Sequence, residues 1–195
     1  GEQIRVVRHA PAEPVALAEV KAFLRVATGH EDDLIVQLIA AARQRVEAET
    51  GRALVSRTYR ETLDRWDQPG RMAGHGKQFR LPMPPLISVV SVTMFDADDS
   101  TSIWPAEDYF VDTASDPGRI AVRAAAFPRP GRATAGIEIV FEAGYGPAPD
   151  DVPEALREAV LRLTADAYLN REGRADRPLP MAVQGLLAPY KRVRL

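Results

Sequence analysis

The sequence predicts an α+β protein in which a helical core, built from both ends of the chain, carries an inserted antiparallel β region. Three observations carry this expectation. Apolar residues recur at helical spacings before Gly51 and again after Asp151, while the stretch between them alternates with a period of two. Neither helical end can bury its apolar stripe without the other. The expected division is 1–52 with 147–195 for the core and its C-terminal arm, and 53–146 for the β insertion.

From Pro14 onward, Leu17, Val20, Phe23 and Leu24 share a face opposite Glu19, Lys21 and Arg25, which predicts a short helix ending near Thr28 and Gly29. Glu31, Asp32 and Asp33 suit the positive end of a second helix dipole. Leu34, Leu38, Ile39, Ala42 and Val46 then form its stripe, with Gly51 as the stop. Ala40, Ala41 and Ala42 keep one side of this helix slim, open to close approach. Strands are expected over 53–66, 78–82, 86–96, 101–104, 108–113, 119–123 and 136–142, forming an antiparallel meander or small sandwich. Turns fall at Asp96-Ala97-Asp98-Asp99, Ser115-Asp116-Pro117-Gly118 and Arg129-Pro130-Gly131. The Gly-rich stretch 67–76 reads as a mobile loop. Asp151, Pro153 and Glu154 announce another helix, Asp151 as its cap with capping-box spacing to Glu154. Its stripe is Leu156, Ala159, Val160, Leu163, Ala167 and Tyr168, with Gly173 as its end. A last short helix runs over 181–187 before Pro189.

The length of 195 residues suits one domain, or one domain with an insertion. Hydrophobic residues at 46% and charged residues at 27% are those of a folded protein rather than a disordered one. A net charge of −2 gives no overall basic field for holding nucleic acid. With no cysteine, thiol nucleophiles, disulfides and zinc-thiolate sites are excluded, and a reducing compartment is implied. No apolar run approaches the roughly 18 residues of a membrane span, and 1–5 lack the apolar core of a signal peptide, so no membrane association is expected.

Site chemistry is sparse. His9, His30 and His75 lack metal-ligand spacing, and His75, between two glycines, reads as a solvated loop histidine. Asp96, Asp98, Ser100 and Glu107 match an EF-hand's oxygen spacing, but Thr101 stands where that loop needs glycine and the flanks read as strands, so a hairpin turn is expected. Gly74-His75-Gly76 and Gly144-Tyr145-Gly146 open no phosphate-binding helix; the second permits a sharp exit from the last strand, with Tyr145 as a hinge anchor. No nucleophile elbow and no definable acid/base couple appear, so neither enzymatic activity nor a cofactor is expected. The basic terminus Tyr190, Lys191, Arg192, Val193, Arg194 and Leu195 is either a solvated end or an arm with apolar anchors at Tyr190, Val193 and Leu195.

Taken in order, several segments resemble the head-tail connector (adaptor) proteins of tailed bacteriophages and gene transfer agents. The resemblance rests on Leu17-Ala18-Glu19-Val20-Lys21, Leu38-Ile39-Ala40-Ala41-Ala42-Arg43, Thr50-Gly51-Arg52-Ala53-Leu54 and Leu81-Pro82-Met83-Pro84-Pro85-Leu86. It continues through Tyr109-Phe110-Val111-Asp112, Ala143-Gly144-Tyr145-Gly146, Asp151-Val152-Pro153-Glu154-Ala155-Leu156 and Leu186-Leu187-Ala188-Pro189-Tyr190. It implies a structural virion protein, assembled in the bacterial cytoplasm, whose copies form a ring, commonly dodecameric, between the portal and the stopper or tail. DNA would pass through the lumen without specific binding, and 190–195 would reach the portal protein. The alternative is a DNA-packaging or nucleic-acid-binding accessory protein of a phage. The smallest connectors lack the inserted β region, so its contacts do not carry over.

Overall fold

The computed structural model describes residues 3–124, 126–170 and 178–191. Two compact units divide the chain: Gly1–His9 with Ser56–Gly144, and Ala10–Val55 with Tyr145–Leu195. The second unit is helical and draws on both halves of the chain, as the unpartnered stripes required.

In the helical unit, α1 (Leu17–Leu24) begins where the Glu19 carboxylate accepts the Ala16 N–H at 2.7 Å, satisfying one of the amides that a helix start leaves free. It ends on Arg25 in the left-handed region. Its Val20 is buried but Phe23 is half exposed, so Phe23 leaves the expected stripe. In α2 (Asp32–Thr50) the buried apolar residues are Ile35, Ile39, Ala42 and Val46, joined by the polar Glu47 and Thr50; Leu34 and Leu38 are only partly covered. The face is rotated by one residue, because Ile35 completes the four-residue step to Ile39 that Leu34 does not. Gly51, at φ +67°, closes the helix by returning its N–H to the Glu47 carbonyl at 2.8 Å.

The next helix, α3 (Glu154–Leu169), starts after Asp151 rather than on it. Asp151 spends its carboxylate on the Ala148 N–H at 2.8 Å, within a single 3₁₀ turn over Pro149–Asp151, so it caps that turn and not α3. Leu156, Ala159, Val160 and Leu163 are buried as expected, whereas Ala167 and Tyr168 are intermediate and Thr164 and Ala165 take their place. The Tyr168 hydroxyl hydrogen-bonds to Glu31 at the start of α2. The expected end of this helix at Gly173 lies outside the described residues. The short helix α4 (Met181–Leu187) supplies Val183 and Leu187 to one core shared with Ile35, Val46, Leu156 and Val160.

The β unit is two antiparallel sheets rather than one meander. Five strands run in the order β1 (Gln3–Arg8), β2 (Arg57–Leu63), β9 (Ile137–Ala143), β5 (Leu86–Phe95), β6 (Thr101–Ile103). Four run β3 (Met72–Ala73), β4 (Gln78–Arg80), β8 (Arg119–Val122), β7 (Tyr109–Asp112). Strand β1 was expected within the helical part; it instead pairs with β2, Gln3 opposite Thr62 and Arg5 opposite Arg60. As an edge strand exposed on both faces it carries little of the alternation that marks a half-buried strand. Trp66, just after β2, packs edge-on to Phe79 of β4 with centroids 5.0 Å apart and lies 5.9 Å from Trp104, so an aromatic cluster joins the sheets.

The stretch 67–76, expected to be a mobile loop, is pinned. Arg71 makes a two-pronged ion pair with Glu61 of β2, its Nη2 lying 2.8 Å from Oε2, while its Nε–H donates to the Arg80 carbonyl at 2.9 Å. Its guanidinium sits 4.3 Å from the Phe79 ring centroid. Glycines supply the tight turns here, and one ordered arginine supplies the anchor that periodicity does not report.

Candidate functional site

The expected arm begins against the helical unit. After α4, one 3₁₀ turn over Ala188–Tyr190 brings the chain back to the C-terminal end of α2. There Arg52 Nε–H donates to the Tyr190 carbonyl at 3.0 Å, and its guanidinium lies 5.9 Å from the Tyr190 ring centroid. The same guanidinium reaches the Tyr145 hydroxyl at 3.4 Å. Lys191 Nζ lies 3.2 Å from Glu49 Oε2. Tyr190 also packs, partly buried, against the apolar core.

Of the six residues of the expected arm, Tyr190 and Lys191 are held on the helical unit. Pro189 continues a turn instead of releasing the chain, because the turn lets Tyr190 reach Arg52. Arg192, Val193, Arg194 and Leu195 lie outside the described residues. Sequence reasoning missed Arg52 and Glu49, whose only signal was an arginine placed directly after the helix-closing Gly51.

The other sequence candidates separate cleanly. His75 is exposed, at φ +56°, in the turn joining β3 to β4. Asp96, Asp98 and Ser100 form the hairpin between β5 and β6: Ser100 Oγ–H donates to Asp98 at 2.6 Å, and that hydroxyl, with the Ser100 N–H, holds the Asp98 carboxyl below its ordinary value. Glu107 belongs to a separate 3₁₀ turn over Ala106–Asp108. Among the described residues no group of three His, Cys, Asp or Glu is placed to hold a metal ion. Tyr145 packs partly buried against the helical core, its N–H donating to the Leu54 carbonyl at 2.8 Å.

The β unit holds an open cleft of about 590 Å³ lined by Trp66, Phe127, Met72 and Arg129 among others. Its charges are largely committed to structure: Arg65 pairs with Asp67 at 2.8 Å, and Arg132 pairs with Asp99 at 2.9 Å while its guanidinium lies 4.4 Å from the Phe95 centroid. No helix among the described residues is long and apolar enough to cross a membrane.

The fold so described is a helical core drawn from both chain ends, an inserted β unit and a terminal segment held on the core. Residues 14–93 match the family model described as phage gp6-like head-tail connector protein. No curated protein sequence matches. Among solved structures, a chain in the neck of an empty gene transfer agent particle computed with C6 symmetry superposes with a TM-score of 0.81 at 29% identity, over 99% of this chain and 97% of that one. A chain in the virion of a native gene transfer agent particle gives 0.82 at 27% identity, with the same coverage. A chain in the native neck computed with C12 symmetry gives 0.73 at 27% identity, again over 99% and 97%. The chain is thus similar over residues 14–93 to phage gp6-like head-tail connector proteins, and along nearly its whole length to chains of gene transfer agent particles.

Proposed function

We propose that copies of this chain form a ring, a dodecamer, between the portal and the stopper or tail of a phage-like particle, with DNA passing through the lumen. The observation that carries this reading is the match over 99% of the chain to chains of particle necks computed with C6 and C12 symmetry. The charge balance supports it: a chain of net charge −2 does not grip phosphates by counterion release, so DNA slides past. The role is mechanical rather than catalytic, and the ring is assembled in the bacterial cytoplasm. Tyr190 to Leu195 form the portal-reaching segment, with Arg52 and Glu49 fixing where it leaves the helical unit.

Deleting 192–195 tests the reading. The shortened protein is expected to keep its fold, because the contacts of Tyr190 and Lys191 remain. DNA-filled heads should then accumulate without tails, since each lost anchor weakens docking by about 2 kcal/mol and the loss is multiplied around the ring. Tailed particles at normal yield would refute the portal role of the segment. Salt-dependent DNA affinity of the intact protein would instead support a packaging accessory.

A further inference from the structure

The five-stranded sheet ends at β1 on one side and β6 on the other, and both strands are exposed along most or all of their length. The two edges carry opposite charge. Strand β1 presents Arg5 and Arg8, neither of which has an ion-pair partner among the described residues, and Arg5 lies opposite Arg60. Strand β6 is flanked by Asp96, Asp98 and Asp99 in the turn before it and by Glu107 and Asp108 in the turn after it. Among the described residues, the cation paired into that group is Arg132, on Asp99. Apolar side chains accompany both edges: Ile4 is 37% and Val7 44% exposed on β1, and Ile103 is 70% exposed on β6.

Exposed edges are normally guarded against pairing, often by charge. Like charges on both edges would guard against self-association; opposite charges invite a head-to-tail contact between copies. We propose that the β1 edge of one copy docks on the β6 edge of the next, so that the five-stranded sheet continues from subunit to subunit. This deepens the ring reading and rests on it. Such a contact uses two different surfaces, as a closed ring of identical copies requires. Topology fixes the sense of the new pair. Four antiparallel steps, β1 to β2, β2 to β9, β9 to β5 and β5 to β6, leave β1 and β6 pointing the same way. In a twelvefold ring, neighbours differ by a 30° rotation (360/12), which turns no strand by more than that angle, so the new pair is parallel.

The chain has no cysteine, so introduced thiols react alone. A chain carrying Val7→Cys and Ser102→Cys, as the only copy in producing cells, is joined in purified particles by a short bismaleimide. A ladder of multiples of this chain, ending at the closed ring, is the expected result. In parallel, Arg5→Glu with Arg8→Glu should lower the amount of this chain in necks by about tenfold, and adding Glu107→Lys with Asp108→Lys should restore it to within about twofold, because the acidic surplus that repels the new glutamates is then neutralised and two lysines face them. A loss the second pair does not restore counts against the contact, since a folding defect would not be repaired by two more reversals. Necks that show a ring of this chain by electron microscopy, yet give no ladder and accept the arginine variant at normal yield, overturn the edge contact and leave the ring standing. A product linking this chain to a different protein also overturns it. Particles with no ring of this chain overturn both readings.

Discussion

Replacing Arg71 by alanine should destabilise the β unit more than loss of a surface contact would, because it removes a two-pronged partner from a buried carboxylate. Glu61 is fully buried and Arg71 only 13% exposed, and the pair is two-pronged. Breaking such a pair from one side takes a two-pronged guanidinium away from a buried carboxylate, at a cost of up to about 3–5 kcal/mol. The lost Arg71 to Arg80 hydrogen bond and the lost cover over Phe79 act in the same direction. Both tryptophans, Trp66 and Trp104, lie in the β unit with their rings packed together, so their fluorescence follows that unit without the helical one. With a urea dependence of about 2 kcal/mol per molar, the fluorescence midpoint should fall by roughly 1.5–2.5 M. The pair changed together to Glu61→Leu and Arg71→Met should lose far less, within about 1–2 kcal/mol, since no charge is then left buried. A shift below about 0.5 M for Arg71→Ala would show that Glu61 does not depend on this arginine, and the account of 67–76 as a pinned segment would fail.

In the helical unit, Glu47→Ala should cost about 1–3 kcal/mol, read as a lower melting midpoint at 222 nm in circular dichroism with the tryptophan signal little changed, because it frees the Leu54 N–H (3.1 Å) and removes one of Arg43's two carboxylate partners (2.7 Å), leaving Glu13. Asp112 is held down to about 2 by the Ser115 hydroxyl first and by the Arg119 side chain second, so its carboxyl carbon should titrate near pH 2 by NMR, and back towards 3.8 in Ser115→Ala. A depressed carboxyl stabilises the fold above its unfolded value near 3.9 and loses that contribution as pH falls towards about 2, so Asp112→Asn should flatten acid unfolding in that window. Excising 56–144 should leave a folded helical protein, because Val55 already bridges Gly146 and the Tyr145 N–H bonds to Leu54, so two or so glycines close the gap; a chain that is unfolded by circular dichroism would refute the shared core.

What the sequence revealed and what it hid divide along physical lines. Helix α4 falls on its expected span because prolines at 178 and 180 and the apolar pair Val183 and Leu187 all point the same way. Consistency among local signals made it legible. Strands β5, β8 and β9 were legible because one face is buried and the alternation survives. Strand β1 was not, for the opposite reason: an edge strand open on both faces has no buried side to impose a period. Arg71 and Arg52 were hidden differently. Each lies in a Gly-flanked turn whose composition reads as flexible, and each is ordered by partners distant in sequence, Glu61 and Phe79 for one, Tyr145 and Tyr190 for the other.

The same contrast bears on how a connector works. A subunit that must grip a neighbour has to keep some surfaces unsatisfied in isolation, and those surfaces are the ones that periodicity cannot find. The edges β1 and β6 retain open strand groups and opposite charges, while the core stripes are already spent inside the helical unit. On the proposed edge contact, affinity between copies comes from short, charged, exposed segments. Each such contact is weak alone and salt-sensitive, and the number of copies in a closed ring makes the sum strong. Raising the salt concentration should accordingly loosen isolated rings long before it unfolds the subunit, a separation that an interface built on buried apolar area would not show.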